Sequence, residues 1–283
     1  MAEYYRPREL GEALERLATG KWRILAGGTD LYPQDCSRNH LPGDVLDITD
    51  VAGLNVIEKH DGFRRFGAAL RWSALACAEL PAAFDGLKQA AAQIGAMQVQ
   101  NMATIGGNIC NASPAADGVP PLLGLDARVE IASLTGRRQM PLADFITGVR
   151  QTALAPGEML TAILIPEPDP AARSHFLKLG ARSYLVISIA MVHVMLIPDS
   201  PGRVADARIA VGACSPVACR LSTLERELIG HPFDPALADL VRDEHFAPLS
   251  PIDDVRASAA YRIEAAEEMT RRAILAIATG GTA

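Results

Sequence analysis

Two pairs of adjacent glycines, each set in an apolar frame, are the residues of this chain whose types and spacing could do chemistry. They are Ile24-Leu25-Ala26-Gly27-Gly28-Thr29-Asp30-Leu31 and Ala103-Thr104-Ile105-Gly106-Gly107-Asn108-Ile109. A residue without Cβ lets the backbone come close to a ligand, and amide N–H groups in such a turn can point at phosphate oxygens. Thr29, Thr104 and Asn108 add hydroxyl and amide donors beside those backbones. The two segments belong to different elements yet read as halves of one site, and the chemistry they suggest is binding of a dinucleotide through its diphosphate.

Other chemistries lack their residues. No Ser-His-Asp grouping, metal-spaced histidine cluster or paired-carboxylate motif stands out, and histidines 40, 60, 175, 193, 231 and 245 are scattered, which suits structural or exposed roles. A Rossmann reading finds a strand, a glycine turn and an acid, Asp47, in the expected order. Its fingerprint G-x-G-x-x-G is not met, because Gly27 and Gly28 are adjacent and no glycine follows at the helix-packing position.

The elements that must position the glycines can be read from periodicity. Pro7 opens a helical segment through Leu10, Leu14 and Leu17, Gly20 closes it, and Trp22–Ala26 is a short strand leading into the first glycine pair. Val45–Ile48 reads as a strand, and Asp61-Gly62 as a hairpin joining Asn55–Glu58 to Arg65–Ala68. Helix is expected over Trp72–Leu80 and Ala82–Ile94. The stretch after the second pair, Asn111 to Asp117, reads as loop, with Asp117 able to cap a helix through Leu122–Leu125.

Arg128–Leu134 and Arg137–Met140 form a second hairpin, and Leu160–Ile165 a strand. Proline-dense Pro166–Pro170 is the natural domain boundary. Beyond it Phe176–Leu179, Val186–Leu196 and Arg208–Cys214 read as strands, followed by helical segments Cys219–Ile229, Pro235–Val241 and Asp254–Ala278. The last carries Ala259, Ile263, Ala266, Met269, Ala273 and Ile277 as a core stripe.

A chain of 283 residues, 49% apolar and 21% charged, can bury a large core in one or two domains. A net charge of −6 without an extended basic cluster speaks against nucleic acid as a partner. No secretory leader is evident at the N-terminus and no apolar run reaches the ~20 residues of a membrane span, so a cytoplasmic protein is expected. Cys36, Cys77, Cys110, Cys214 and Cys219 include no C-x-x-C pair. They fit neither a disulfide frame nor a zinc or iron–sulfur site, and small buried apolar roles are expected for them.

The segment Ala26–Leu31 together with Thr104-Ile105-Gly106-Gly107-Asn108-Ile109-Cys110-Asn111-Ala112-Ser113-Pro114-Ala115-Ala116-Asp117 resembles the FAD-binding medium subunit of molybdenum hydroxylases. That family includes xanthine dehydrogenase, carbon monoxide dehydrogenase and 4-hydroxybenzoyl-CoA reductase. The likeness extends over nearly the whole chain, with Phe176-Leu177-Lys178-Leu179-Gly180-Ala181-Arg182 resembling the opening of the family's C-terminal domain.

The resemblance implies an α+β fold. Residues 1–170 would form an FAD-binding domain of the vanillyl-alcohol-oxidase/PCMH type, with subdomains of about 1–55 and 56–170. Residues 171–283 would form a smaller α+β domain of antiparallel sheet and helices. It further implies that Ile24, Leu25, Ala26, Gly27, Gly28, Thr29, Asp30 and Leu31 form the first FAD loop, and that Thr104, Gly106, Gly107 and Asn108 form the second. Asp117, Leu160 and Lys178 match further FAD-contacting positions. Asp117 as a helix cap and Leu160 as core packing stand beside those roles, and Lys178 could favour reduction by placing positive charge near the flavin.

As function the resemblance implies an oxidoreductase subunit that relays electrons. A large partner subunit would carry the molybdenum cofactor and a small one two [2Fe–2S] clusters, and the heterotrimer is expected to dimerise. The final acceptor could be NAD, oxygen or quinone. Where family members often have an acid shortly after Arg182, this chain has Ser183 to Ser188. Ile94 stands where animal xanthine dehydrogenases place a phenylalanine against the flavin, and no cysteine-bearing insertion for an extra cluster is present. A flavin-free assembly subunit and a free-standing NAD-dependent dehydrogenase are the alternatives.

Overall fold

A strand that ends at the first glycine pair and a helix that begins at the second organise the N-terminal half of the chain. The computed structural model describes residues 2–34, 43–200 and 202–280. Cys36 and His40 lie outside the described residues.

The first elements are β1 (Tyr4–Tyr5), α1 (Leu10–Ala18), β2 (Trp22–Leu25), α2 (Leu31–Gln34), β3 (Asp44–Asp47), β4 (Ile57–His60) and β5 (Phe63–Gly67). Next come α3 (Trp72–Ala76), α4 (Asp85–Gln93), α5 (Met97–Gln100), α6 (Ile105–Asn111), α7 (Val119–Gly124), β6 (Arg128–Ser133), β7 (Gly136–Pro141) and α8 (Leu142–Phe145). The chain continues with β8 (Ile146–Gly148), β9 (Gln151–Thr152), β10 (Met159–Pro166), β11 (Arg173–Leu179), β12 (Ala190–Pro198) and β13 (Val204–Gly212). β14 (Cys219–Arg220), α9 (Ser222–Leu228) and α10 (Ala259–Ala278) complete it. The whole is α+β and divides into two compact units that interleave in sequence. One comprises residues 1–75, 97–112 and 127–167, the other 76–96, 113–126 and 168–283.

In the first unit, β1, β3 and β2 form a parallel sheet with β3 in the middle. Helix α1 starts in a reciprocal capping box between Glu9 and Glu12 and buries Ala13, Leu14 and Leu17. These pack with Leu46, Ile48, Val51, Leu54, Ala69, Ala132 and Met159. A five-stranded antiparallel sheet follows the order β4-β5-β10-β6-β7. The β4–β5 turn is the expected Asp61-Gly62, both at positive φ (47° and 79°), as a two-residue hairpin requires. Its strands are shifted from the expected limits, so that His60 pairs with Phe63. Central β10 is buried from Met159 to Ile165 and carries a bulge between Leu160 and Ala162.

In the second unit the antiparallel sheet runs β11-β12-β13-β14. Strand β12 is buried from Ala190 to Leu196, because both of its faces are covered. Ala190, Val192, Val194 and Leu196 join the core of α9 and α10, while Met191 packs with Ala90 of α4 and with Phe176. The stripe expected on α10 is offset. Ile263 is only partly buried and Arg262 is buried beside Ala266, Met269, Ala273 and Ile277. The Arg262 guanidinium donates to Asp254 (2.7 Å), to the Ala213 carbonyl (3.2 Å) and to the Ile189 carbonyl.

Several expected helices are shorter. The segment Cys219–Ile229 begins as β14, and α3 ends at Ala76, short of Leu80-Pro81 where the residue before proline disfavours helix. Helix α10 starts at Ala259 behind a Ser258 cap, because Asp254 is engaged with Arg262 and Arg256. Cys77 and Cys110 are exposed, correcting the expectation of burial, whereas Cys214 is buried. Among the described residues no helix is long and apolar enough to cross a membrane.

His193 on β12 occupies a slot walled by two glycines. A Cβ on Gly86 would lie 2.5 Å from its Nδ1, and one on Gly124 would lie 2.3 Å from its Cδ2. Neither ring nitrogen has a hydrogen-bond partner among the described residues, and burial pushes the imidazole pKa down to about 3. The folded state thus holds His193 neutral while the unfolded chain protonates it near pH 6.5, so the stability present above that pH is lost as pH falls. We expect denaturant unfolding to show a loss of about 2 kcal/mol from this group between pH 7 and pH 5. His193→Leu should remove that component. Equal pH dependence in wild type and variant would refute the assignment.

Candidate functional site

The first glycine pair caps the open end of β2. The chain leaves the sheet after Leu25, whose carbonyl receives the Ile48 amide (2.9 Å), and Gly28 turns it at φ 70°. The Gly28 carbonyl then receives the Tyr32 amide (3.0 Å) to begin α2, with the Tyr32 ring so close that a Cβ on Gly28 would sit 2.5 Å away. The amides of Gly27, Gly28 and Thr29 have no protein acceptor among the described residues. Consecutive unspent N–H groups in a turn with a left-handed residue form a concavity suited to an anion.

The second pair is built differently from the expected loop. Thr104 is the N-cap of α6, and Gly106 and Gly107 lie in its first turn. Their amides are already used: Gly106 donates to the Ala68 carbonyl (2.9 Å), Gly107 to Thr104 Oγ1 (3.1 Å) and Asn108 to the Thr104 carbonyl (3.0 Å). Gly106 is required by close packing, since its Cβ would stand 2.5 Å from the Ala68 carbonyl oxygen. Ala68 is tied in turn to the β10 bulge through the Thr161 carbonyl (2.9 Å). What this segment offers a ligand is side-chain chemistry. Thr104 retains its O–H, and Asn108 Oδ1 is buried with no partner among the described residues.

The two segments meet directly. Gly27 packs on the backbone leading into α6, so closely that its Cβ would lie 2.0 Å from the Met102 carbonyl oxygen. Beside this junction a cleft of about 310 Å³ is lined by Ala26, Gly27, Thr49, Asp50, Asn55, Ala69, Arg71, Ala74, Met102 and Thr104. Arg150, itself at φ 58°, joins the same region by donating to Asp30 (2.9 Å) and to Asn111. Neither Arg71 nor Arg150 is marked by a motif. Arg71 reaches the cleft through an isolated bridge to Thr104, a long-range pairing that local sequence does not announce.

The remaining candidate residues are placed as follows. Leu160 is a buried side chain beside the β10 bulge. Asp117 and Lys178 both belong to the second unit and satisfy one another at 2.6 Å. Ser188 Oγ donates to the other Asp117 oxygen (2.5 Å), and Lys178 also donates to the Gln93 carbonyl (3.2 Å). The helix-cap reading of Asp117 fails, because α7 starts after Gly118 with no side-chain cap. Burial pushes the Asp117 carboxyl up, opposed by Lys178 and Ser188. The Lys178 charge is therefore balanced by a carboxylate rather than free to act alone.

Unspent amides on a glycine turn, an orphaned Asn108 oxygen and an adjoining polar cleft define a nucleotide-cofactor-binding protein. Comparison with known proteins makes this specific. Residues 1–168 match the FAD binding domain in molybdopterin dehydrogenase, and residues 175–277 match the CO dehydrogenase flavoprotein C-terminal domain. The chain is 31% identical to the xanthine dehydrogenase FAD-binding subunit of Escherichia coli O157:H7, over 99% of this chain and 97% of that one. It is 30% identical to the nicotine 6-hydroxylase medium subunit of Paenarthrobacter nicotinovorans, over 96% and 95%. Among solved structures, CO dehydrogenase from Oligotropha carboxidovorans aligns with a TM-score of 0.90 at 28% identity, covering 99% and 98% of the two chains.

The chain belongs to the FAD-binding medium subunits of the molybdenum hydroxylase family. It is an oxidoreductase flavoprotein subunit whose cofactor is FAD. The residues present fit that group: a diphosphate matches the unspent amides of Gly27, Gly28 and Thr29, and a cofactor hydroxyl matches the unpartnered Asn108 Oδ1.

Proposed function

We propose that this chain is the electron-transfer subunit of a molybdenum-containing hydroxylase, taking electrons from [2Fe–2S] clusters of a small partner subunit and delivering them to NAD or another acceptor. A large subunit carrying the molybdenum cofactor oxidises the substrate, the three subunits pair as a dimer of heterotrimers, and the complex works in the cytoplasm. FAD supplies a junction between one-electron carriers and two-electron acceptors. In this reading residues 1–170 are the flavin domain and 171–283 the C-terminal domain.

The flavin-holding set is Ile24, Leu25, Ala26, Gly27, Gly28, Thr29, Asp30 and Leu31, with Thr104, Gly106, Gly107, Asn108, Asp117, Leu160 and Lys178. Roles within the set differ. Gly27 to Thr29 supply backbone donors, Thr104 and Asn108 supply side-chain groups, and Gly106 fixes α6 against Ala68. Leu160 is a buried side chain beside the β10 bulge, and Asp117 and Lys178, paired with each other in the second unit, enter the set through the family resemblance.

The observation that carries this reading is the convergence of two glycine segments, one with unspent amides, in a chain with full-length medium-subunit relatives. The test is to co-purify the complex, measure flavin, iron and molybdenum content, and follow flavin reduction by substrate with NAD present and absent. The expected result is one FAD per medium subunit, reduced by substrate only when the cluster-bearing subunit is present. Flavin reduced equally well without that subunit would overturn the relay.

A further inference from the structure

The cleft beside Gly27 holds a cation that the family reading leaves without a task. Of its lining residues only Asp50 is acidic, and that carboxylate is engaged by Arg6 at 2.9 Å. Arg6 also lies 3.5 Å from Asp47, so its charge is shared within the acid cluster rather than offered to the cleft. Arg71 has no acceptor for its guanidinium among the described residues. Around it stand the Gly27 backbone with its unspent amide, the Thr104 hydroxyl and the Asn55 side-chain amide, which has no partner among the described residues either.

The lining is thus rich in donors and carries an uncompensated positive charge. At about 310 Å³ the cleft admits part of a dinucleotide rather than the whole. A planar, always-charged guanidinium beside backbone and hydroxyl donors matches phosphate oxygens, which it can engage bidentately.

We propose that Arg71 is a binding residue for a phosphate group of FAD, completing in the cleft the anion site that the first glycine turn begins. This inference rests on FAD being the cofactor, and it adds a residue that neither glycine segment contains. Arg71 holds the diphosphate end in place, and its contribution depends on charge.

The experiment is titration of the flavin-stripped full chain with FAD and with riboflavin, at low and high salt, for wild type, Arg71→Gln and Arg71→Lys. Arg71→Gln is expected to weaken FAD binding about tenfold or more at low salt, with a shallower salt dependence than wild type. Riboflavin, which lacks phosphate, should bind both proteins alike, and Arg71→Lys should restore part of the FAD affinity. Unchanged FAD affinity in Arg71→Gln, or an equal loss for riboflavin, would overturn the proposal while leaving FAD as the cofactor. Failure of the wild-type chain to bind FAD at all would instead refute the cofactor reading on which it stands.

Discussion

Gly27→Ala is expected to empty the flavin site of this chain while the second unit remains folded. The added Cβ would lie 2.0 Å from the Met102 carbonyl oxygen, 2.6 Å from its carbon and 2.7 Å from Ala103 Cα. All three are backbone atoms, and the segment is anchored on both sides. The Ala103 amide donates to the Val99 carbonyl (2.7 Å), and the Ala103 carbonyl accepts from Trp72 (3.1 Å). One of the two segments must therefore move, and the turn presenting the Gly27, Gly28 and Thr29 amides is the freer of the two.

Forcing a methyl into a packed site typically costs about 1–3 kcal/mol, and a backbone clash belongs at the upper end. If that cost falls on the bound geometry, FAD affinity drops about 100-fold. Gly11→Ala is the control, because beyond the neighbouring residues and backbone of its own helix nothing lies within 4 Å of its added Cβ on α1. It should retain FAD and gain several tenths of a kcal/mol from the reduced backbone entropy of the unfolded chain. Quenching of flavin fluorescence would report both affinities. A Gly27→Ala chain that binds FAD like wild type would show that the junction can open without harm.

The contrast between the two glycine pairs marks what local sequence can disclose. Gly-Gly in an apolar frame announced close approach in both places. It did not disclose that Gly27 and Gly28 serve a turn with unspent amides, whereas Gly106 and Gly107 sit in a helix whose first-turn amides are consumed by Ala68 and Thr104. That difference depends on Ala68, which lies 38 positions before Gly106 and is itself held by the β10 bulge. The Asp61-Gly62 hairpin was legible because its two residues alone determine the turn.

Burial of polar side chains was less legible, because their partners come from distant strands. Arg262 reads as a solvated position on a helix until Asp254 and the carbonyls of Ile189 and Ala213 are brought to it. His193 reads as an interruption in an apolar strand, and only the spatial meeting of Gly86 and Gly124 shows why an imidazole fits there. Arg71 is invisible for the same reason. Its role depends on a bridge to Thr104 and on the capture of Asp50 by Arg6. Asp117 was legible as a special residue, but its partners Lys178 and Ser188 are 61 and 71 positions away.

Lys178→Met should produce an effect whose pH dependence identifies its cause. The variant keeps the stem of the side chain but removes the ammonium 2.6 Å from Asp117, in a pair whose side chains are only 6% and 8% exposed. A buried carboxylate that loses its cation costs about 3–5 kcal/mol. Asp117 would retain only the Ser188 hydroxyl, and burial, which already pushes its carboxyl up, would lose its largest opposing influence. The carboxyl then folds in its protonated form. With the folded pKa above the unfolded value near 3.9, the folded state binds the extra proton, so stability falls as pH rises between those two values.

Lys178→Met should therefore be more stable at pH 5 than at pH 7, relative to wild type, by up to about 1.4 kcal/mol per pH unit. Adding Asp117→Asn should abolish that trend and recover much of the lost stability, because no charge is left to desolvate. If the loss came from poor packing of the methionine, it would be the same at both pH values and would survive in the double variant. Denaturant unfolding of the four proteins at two pH values separates these outcomes. Flavin content measured on the same samples shows whether the pair also governs cofactor retention.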